Sequence, residues 1–139
     1  MYNSIIQTNM AFEKEHIMSV AETIREQLFG LTPMTVLMSW GISRLTATVI
    51  DDMPALLLRV NARIHKGEVI IALNEGVDYY EIYLRDDSEK RNTQKIARDV
   101  DFTQLSEIID EAIESGTDKE EYYRFCDEVR QSLIREGMI

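Results

Sequence analysis

The sequence predicts one α+β domain over residues 1–139: an N-terminal helix, a four-stranded antiparallel meander, and two C-terminal helices packed on one sheet face. Three observations predict it. Residues 42–85 alternate in polarity with period two, as half-buried strands require. The breaks inside that stretch, 51–54, 65–67 and 74–76, are too short for a parallel return, which needs a crossover of a dozen or more residues. The flanking segments instead repeat apolar residues at steps of three and four, the spacing of an amphipathic helix.

The N-terminal helix is expected from about Asn9 to Phe29. Met10, Ile17, Val20, Ala21, Ile24 and Leu28 form its stripe, Thr8 or Asn9 caps its start, and Glu13 or Glu15 suits the positive end of its dipole. Gly30 falls where a left-handed C-terminal cap belongs, and Pro33 prevents continuation. Residues 31–40 are apolar, with Val36, Leu37 and Met38 consecutive, so periodicity does not separate a short buried helix from a strand. Met34 and Met38 suit irregular packing, and Trp40 before Gly41 suits a core plug, with ligand stacking as its alternative.

In the meander, Leu45, Ala47 and Val49 share a face with Leu56, Leu58, Val60, Ala62 and Ile64. Val69, Ile71 and Leu73, then Tyr80, Ile82 and Leu84, complete that apolar surface. Residues 86–98 are charged and aperiodic, which reads as an exposed loop, with 96–100 a candidate for a brief edge strand. Asp101 and Gln104 then form a capping box for a helix whose stripe is Phe102, Leu105, Ile108, Ile109, Ala112 and Ile113 and which Gly116 stops. Thr117 and Glu120 read as a second box, opening a last helix that buries Tyr122, Phe125, Val129 and Leu133 before Gly137.

A length of 139 residues supports a core without metal or disulfide staples, and an apolar fraction of 45% argues against disorder. The one cysteine, Cys126, has no intrachain partner, so a reducing compartment is expected. No apolar run approaches the roughly 20 residues of a membrane span, and the first residues lack the basic and apolar regions of an export signal. The expectation is a cytoplasmic protein with no membrane association. A net charge of −10 disfavours direct nucleic-acid binding, which depends on Lys and Arg. Residues 86–139 hold 15 acidic against 8 basic residues, so the acid sits mainly in the C-terminal third, where a solubilising helix surface is the ordinary reason for it.

Reactive motifs are absent. His16 and His65 are the only histidines, neither in a nucleophile motif, and Cys126 reads as a small buried or half-buried helix residue. The spacing of His, Cys, Asp and Glu fits no metal site, and Gly67 and Gly76 are isolated turn glycines rather than a phosphate cradle. No cofactor is expected. With 25 acids, no carboxylate pair stands out for acid/base work.

The alternation leaves a second sheet face carrying Arg44, Leu57, Arg59, Asn61, Arg63, Tyr79 and Tyr83, with Ile70 beside them. A solvated face whose long stems cover the strands is one reading. A docking surface is the other, since Arg and Tyr are enriched at interfaces and also stack on bases. The functional expectation is a non-enzymatic interaction module that binds a protein partner, or a second copy of itself as a homodimer, through this face or an exposed edge strand. The alternative is an acidic DNA mimic built on the C-terminal helices, from Glu107, Asp110, Glu111, Glu114, Asp118, Glu120, Glu121, Asp127 and Glu128. A third is an enzyme working through carboxylates between helices and sheet.

Ser39-Trp40-Gly41, Ala55-Leu56, His65-Lys66-Gly67 and Asn74-Glu75-Gly76 with Asp78 resemble a group of small proteins of gut Bacteroidetes, often encoded near mobile elements. The resemblance covers about residues 35–85 and rests on turn and strand residues. It implies a bacterial, cytoplasmic accessory protein and assigns no activity or residue role.

Overall fold

The computed structural model describes residues 2–137, with side chains from Glu13 onward. Helix α1 spans Tyr2–Leu31, longer at both ends than the apolar spacing predicts. Thr8 and Asn9 therefore lie inside it rather than capping it, and Gly30 continues it; the side chain of Met10 lies outside the described residues. Past Leu31 the Thr32 hydroxyl donates to the Leu28 carbonyl at 2.5 Å, and Pro33 stops the chain from continuing. Residues 31–40 resolve as a short helix α2, Met34–Ser39, whose methionines Met34 and Met38 face solvent instead of filling the core. Trp40 is fully buried, and its indole N–H donates to the Asp110 carboxylate at 2.9 Å.

Five strands follow, one more than expected: β1 Arg44–Ile50, β2 Met53–Asn61, β3 Lys66–Asn74, β4 Tyr79–Asp86 and β5 Thr93–Val100. They form one antiparallel meander in chain order. β1 turns into β2 through Asp51 and Asp52, both at positive φ (48° and 62°), the backbone of a two-residue hairpin turn in which Asp is tolerated. β5 takes up the second half of the expected loop, extending the brief edge strand expected at 96–100 back to Thr93. Its pairing with β4 slips between Tyr80 and Ile82 and again between Ile82 and Tyr83, and Asp99 sits at φ 55°. Such bulges break the period-two pattern by which a strand is read from sequence.

One face of the sheet carries the main core. Leu56, Leu58, Val60, Ala62, Val69, Ile71, Tyr80 and Ile82 pack there with Val20, Ala21, Ile24 and Leu28 of α1, as the alternation predicts. Ile64 departs from that row: it lies past the end of β2 and is exposed. The Asp101–Gln104 capping box forms as expected and opens a 3-10 turn, Phe102–Gln104. Helix α3, Leu105–Asp110, continues from it into a π-helical turn, Glu111–Ser115, that ends at Gly116 (φ 74°). Leu105, Ile109 and Ile113 complete the core.

Helix α4, Lys119–Arg135, is capped by Asp118 rather than Thr117, the Asp118 carboxylate accepting from the Glu121 N–H at 3.1 Å. It does not pack on the sheet, and none of Tyr122, Phe125, Val129 or Leu133 is buried; Cys126 is exposed as well. The reason is area. Five strands about 4.8 Å apart offer a face about 20 Å wide, which two helices about 10 Å across already fill. α4 is held instead by Arg63, whose guanidinium lies 5.3 Å from the ring centroids of both Tyr122 and Phe125. No helix among the described residues is long and apolar enough to cross a membrane.

Candidate functional site: the open face of the sheet

The opposite face carries a second buried cluster, Ala55, Leu57, Ile70, Ala72 and Tyr83, to which no helix contributes among the described residues. Strand register sorts this face into rows running across the sheet. The first row is Arg44, Arg59, Glu68, Arg85 and Thr93, the second Thr46, Leu57, Ile70, Tyr83 and Lys95, the third Thr48, Ala55, Ala72 and Glu81. Each row has its own chemistry.

The first row is an arginine cluster built on a buried carboxylate. Glu68 is 2% exposed and sits in the central strand, where β2 and β4 both offer an arginine at its register position. Arg91, reaching over from the β4–β5 turn, donates to it; Arg85 and Arg44 approach at 3.5 and 3.6 Å. Arg59 makes two hydrogen bonds to Asp87, at 2.5 and 2.7 Å. That fork raises the Arg59 pKa and holds the Asp87 carboxyl below its ordinary range. Four of the ten arginines in the chain thus surround two carboxylates. Ser43, Arg44, Arg59, Glu68 and Arg91 line an open recess of about 360 Å³.

The second row is apolar in the middle. Leu57, Ile70 and Tyr83 are buried although no helix of the described residues lies over them: Ile50 and Met53 pack against the cluster, and the rows on either side carry long Arg, Lys and Glu side chains of the kind whose stems cover apolar strands. The Lys95 ammonium lies 5.6 Å from the Tyr83 ring centroid. The Tyr83 hydroxyl lies 3.0 Å from Asp51 and 3.3 Å from Glu81, and its one proton is shared between them. Burial, with the Asp51 hydrogen bond second, pushes its pKa up to about 12. In the third row Glu81 accepts from Lys95 at 2.6 Å and from the Asn74 amide at 2.9 Å. The Lys95 hydrogen bond is the main reason its carboxyl stays below the usual range.

Of the residues expected on this face, Arg44, Leu57, Arg59 and Tyr83 come together in two adjacent rows. Asn61 and Tyr79 lie at strand ends, exposed, paired with Lys66 and Asn74. Arg63 does not belong to the face. It follows β2, and its Nε and Nη2 donate to the Glu114 and Ser115 carbonyls at 2.8 and 3.1 Å, while Glu114 accepts its backbone N–H. The reason is that β2 ends at Asn61, so alternation no longer decides where residue 63 points.

Sequence reasoning missed Glu68, Glu81, Arg85, Arg91 and Lys95. A signal existed for three of them: laying the hairpins on one another puts Glu68 and Arg85 in the row of Arg44 and Arg59, and Glu81 in the row of Ala55 and Ala72. Arg91 and Lys95 carried none, because their segment read as a loop. Among the described residues no group of His, Cys, Asp and Glu is placed to hold a metal ion. No protein-family model, curated protein or solved structure matches this chain.

Proposed function

We propose that the chain is a protein-interaction module that docks its partner on the open face of the sheet. The observation that carries this reading is the pairing of an apolar centre with an undercompensated cationic row. Leu57, Ile70 and Tyr83 lie next to Arg44, Arg59, Arg85 and Arg91, which face only Glu68 and Asp87. Two positive charges are in excess there, on a protein of net charge −10. An apolar patch rimmed by arginines suits a partner that presents an apolar residue beside carboxylates.

The nucleic-acid-mimic reading draws less support. Asp110 accepts from Trp40, Glu114 is buried against Arg63, Glu111 pairs with Lys119, Glu121 with Arg63, and Asp118 caps α4, so five of its nine acids are engaged within the molecule. On α4 the remaining acids alternate with Lys119, Arg124, Arg130 and Arg135 rather than forming a row of one sign. The carboxylates Glu68, Glu81 and Glu114 that a catalytic reading would favour are each bound by cationic or backbone donors.

The test is affinity capture from lysate with the wild-type chain, an R59A/Y83A variant and an R124A/R130A control on α4. The reading expects a defined protein held by wild type and control and released by R59A/Y83A, which keeps a native circular dichroism spectrum. Equal retention by all three chains would refute it.

A further inference from the structure

We infer that two copies of this chain pair antiparallel through β1, joining their sheets about a two-fold axis at Ala47. The sheet has two edges and they are built differently. β5 carries Lys95, Arg98 and Asp99, with Asp99 in a left-handed conformation and two register slips against β4, the devices by which edge strands resist pairing. β1, Arg44–Ile50, has none of these. Its pairing with β2 runs uninterrupted from Arg44 to Ile50, it holds no proline, and its only charged residue is Arg44. Among the described residues nothing pairs with its outer side.

The occupant follows from the sequence of the strand. A two-fold interface must be self-complementary, and Arg-Leu-Thr-Ala-Thr-Val-Ile is close to palindromic in character about Ala47. Antiparallel pairing about that residue sets Thr46 against Thr48 of the second copy on the open face. On the helix face it sets Leu45 against Val49, which are 38% and 50% exposed in the single chain. Charge is complementary as well: the Arg44 end of each strand meets the end at which the other turns through Asp51 and Asp52. The apolar recess beside Leu45, lined by Phe29, Leu37, Met38 and Ile42, then meets the recess beside Val49, where Ile17 and Pro54 lie among Glu13, His16, Asp52 and Glu75. This pairing is independent of the open-face reading and leaves the open face uncovered in both copies.

Sedimentation equilibrium on the full chain, over roughly 1 to 300 µM, covers the range in which an interface this small dissociates. Wild type is expected to dimerise within that range. T46K/T48K and T46E/T48E are each expected to be monomeric with unchanged circular dichroism, and an equimolar mixture of the two to recover a dimer. Register is read by oxidation in a C126S background. A47C is expected to cross-link to itself, because opposed residues lie about 4.5–5.5 Å apart. L45C is expected not to, since its own copy lies about 14 Å away. A wild-type monomer throughout, a dimer that survives T46K/T48K, or equal cross-linking by L45C would each overturn the proposal.

Discussion

Leu57 and Leu58 are neighbours in one strand, on opposite faces of one sheet, and both are buried, at 6% and 0% exposure. Their burial has different causes. Leu58 is enclosed by α1, α3 and the strands, in a layered core of apolar side chains. Leu57 packs with Ala55, Ile70, Ala72 and Tyr83 and with half-buried Ile50 and Met53, on a face crossed by the ion pairs of Glu68, Asp87 and Glu81 and by no helix of the described residues. The first kind of burial depends on packing volume and is insensitive to ionic conditions. The second depends on an electrostatic canopy that salt, pH or a competing carboxylate can open. A face of that kind can be dry in the free protein and still receive a partner.

The sharpest way to break the comparison is truncation on each side. Trp40→Ala should cost about 4 kcal/mol and Leu58→Ala about 3 kcal/mol, the usual losses for fully enclosed side chains. Leu57→Ala should cost only about 1–2 kcal/mol, because its surroundings relax into solvent. Urea unfolding midpoints at constant m-value measure all three, and equal losses at 57 and 58 would mean that the open face is packed like the core. Next comes Glu68→Gln, which leaves three arginines around a buried neutral amide. We expect a loss of about 2 kcal/mol, below the 3–5 kcal/mol of a wholly buried broken pair because Arg44 and Arg91 are solvated. Part of that loss should be recovered with added sulfate, whereas Leu58→Ala should gain no more than wild type does.

The smaller effects are in pH. Glu81 has a depressed pKa in the folded state, so its contribution is complete above about pH 4.5 and is lost as pH falls through the folded value. Glu81→Gln should therefore flatten the acid limb of the stability profile and leave the neutral region nearly parallel to wild type. Tyr83 runs the other way. Its folded pKa is near 12 against an ordinary 10, so its contribution is complete below pH 10 and disappears as pH climbs to 12. A ¹³C Cζ titration should find one tyrosine ionising near 12 that is missing in Tyr83→Phe.

The covered face was legible in the sequence because one rule, alternation against a helix stripe, governs it from Ala47 to Leu84, with Leu45 and Val49 of the edge strand on the same face but left exposed. The open face was legible in part. Arg44, Leu57, Arg59 and Tyr83 follow from the same alternation, but the carboxylate that gathers the arginines does not, since register is a relation between strands rather than a property of any one of them. Arg91 enters from a turn, and β5 was hidden by its own bulges. The last helix was misplaced for a different reason. Its apolar stripe is real, but a stripe states what a helix is able to bury and not whether the fold has room for it.

That unplaced helix gives the molecule two cooperative units of very different depth. α4 communicates with the rest of the chain mainly through Arg63, Lys119 and the capped turn at Asp118. Its amides should therefore exchange with solvent by local opening long before the strands do, and protease should first cut near Gly116. A substitution that melts α4 leaves the melting of the sheet unchanged. The stretch of chain after Gly116, about a sixth of its length, is free to be remodelled, by sequence change or by a ligand, without endangering the fold that carries it.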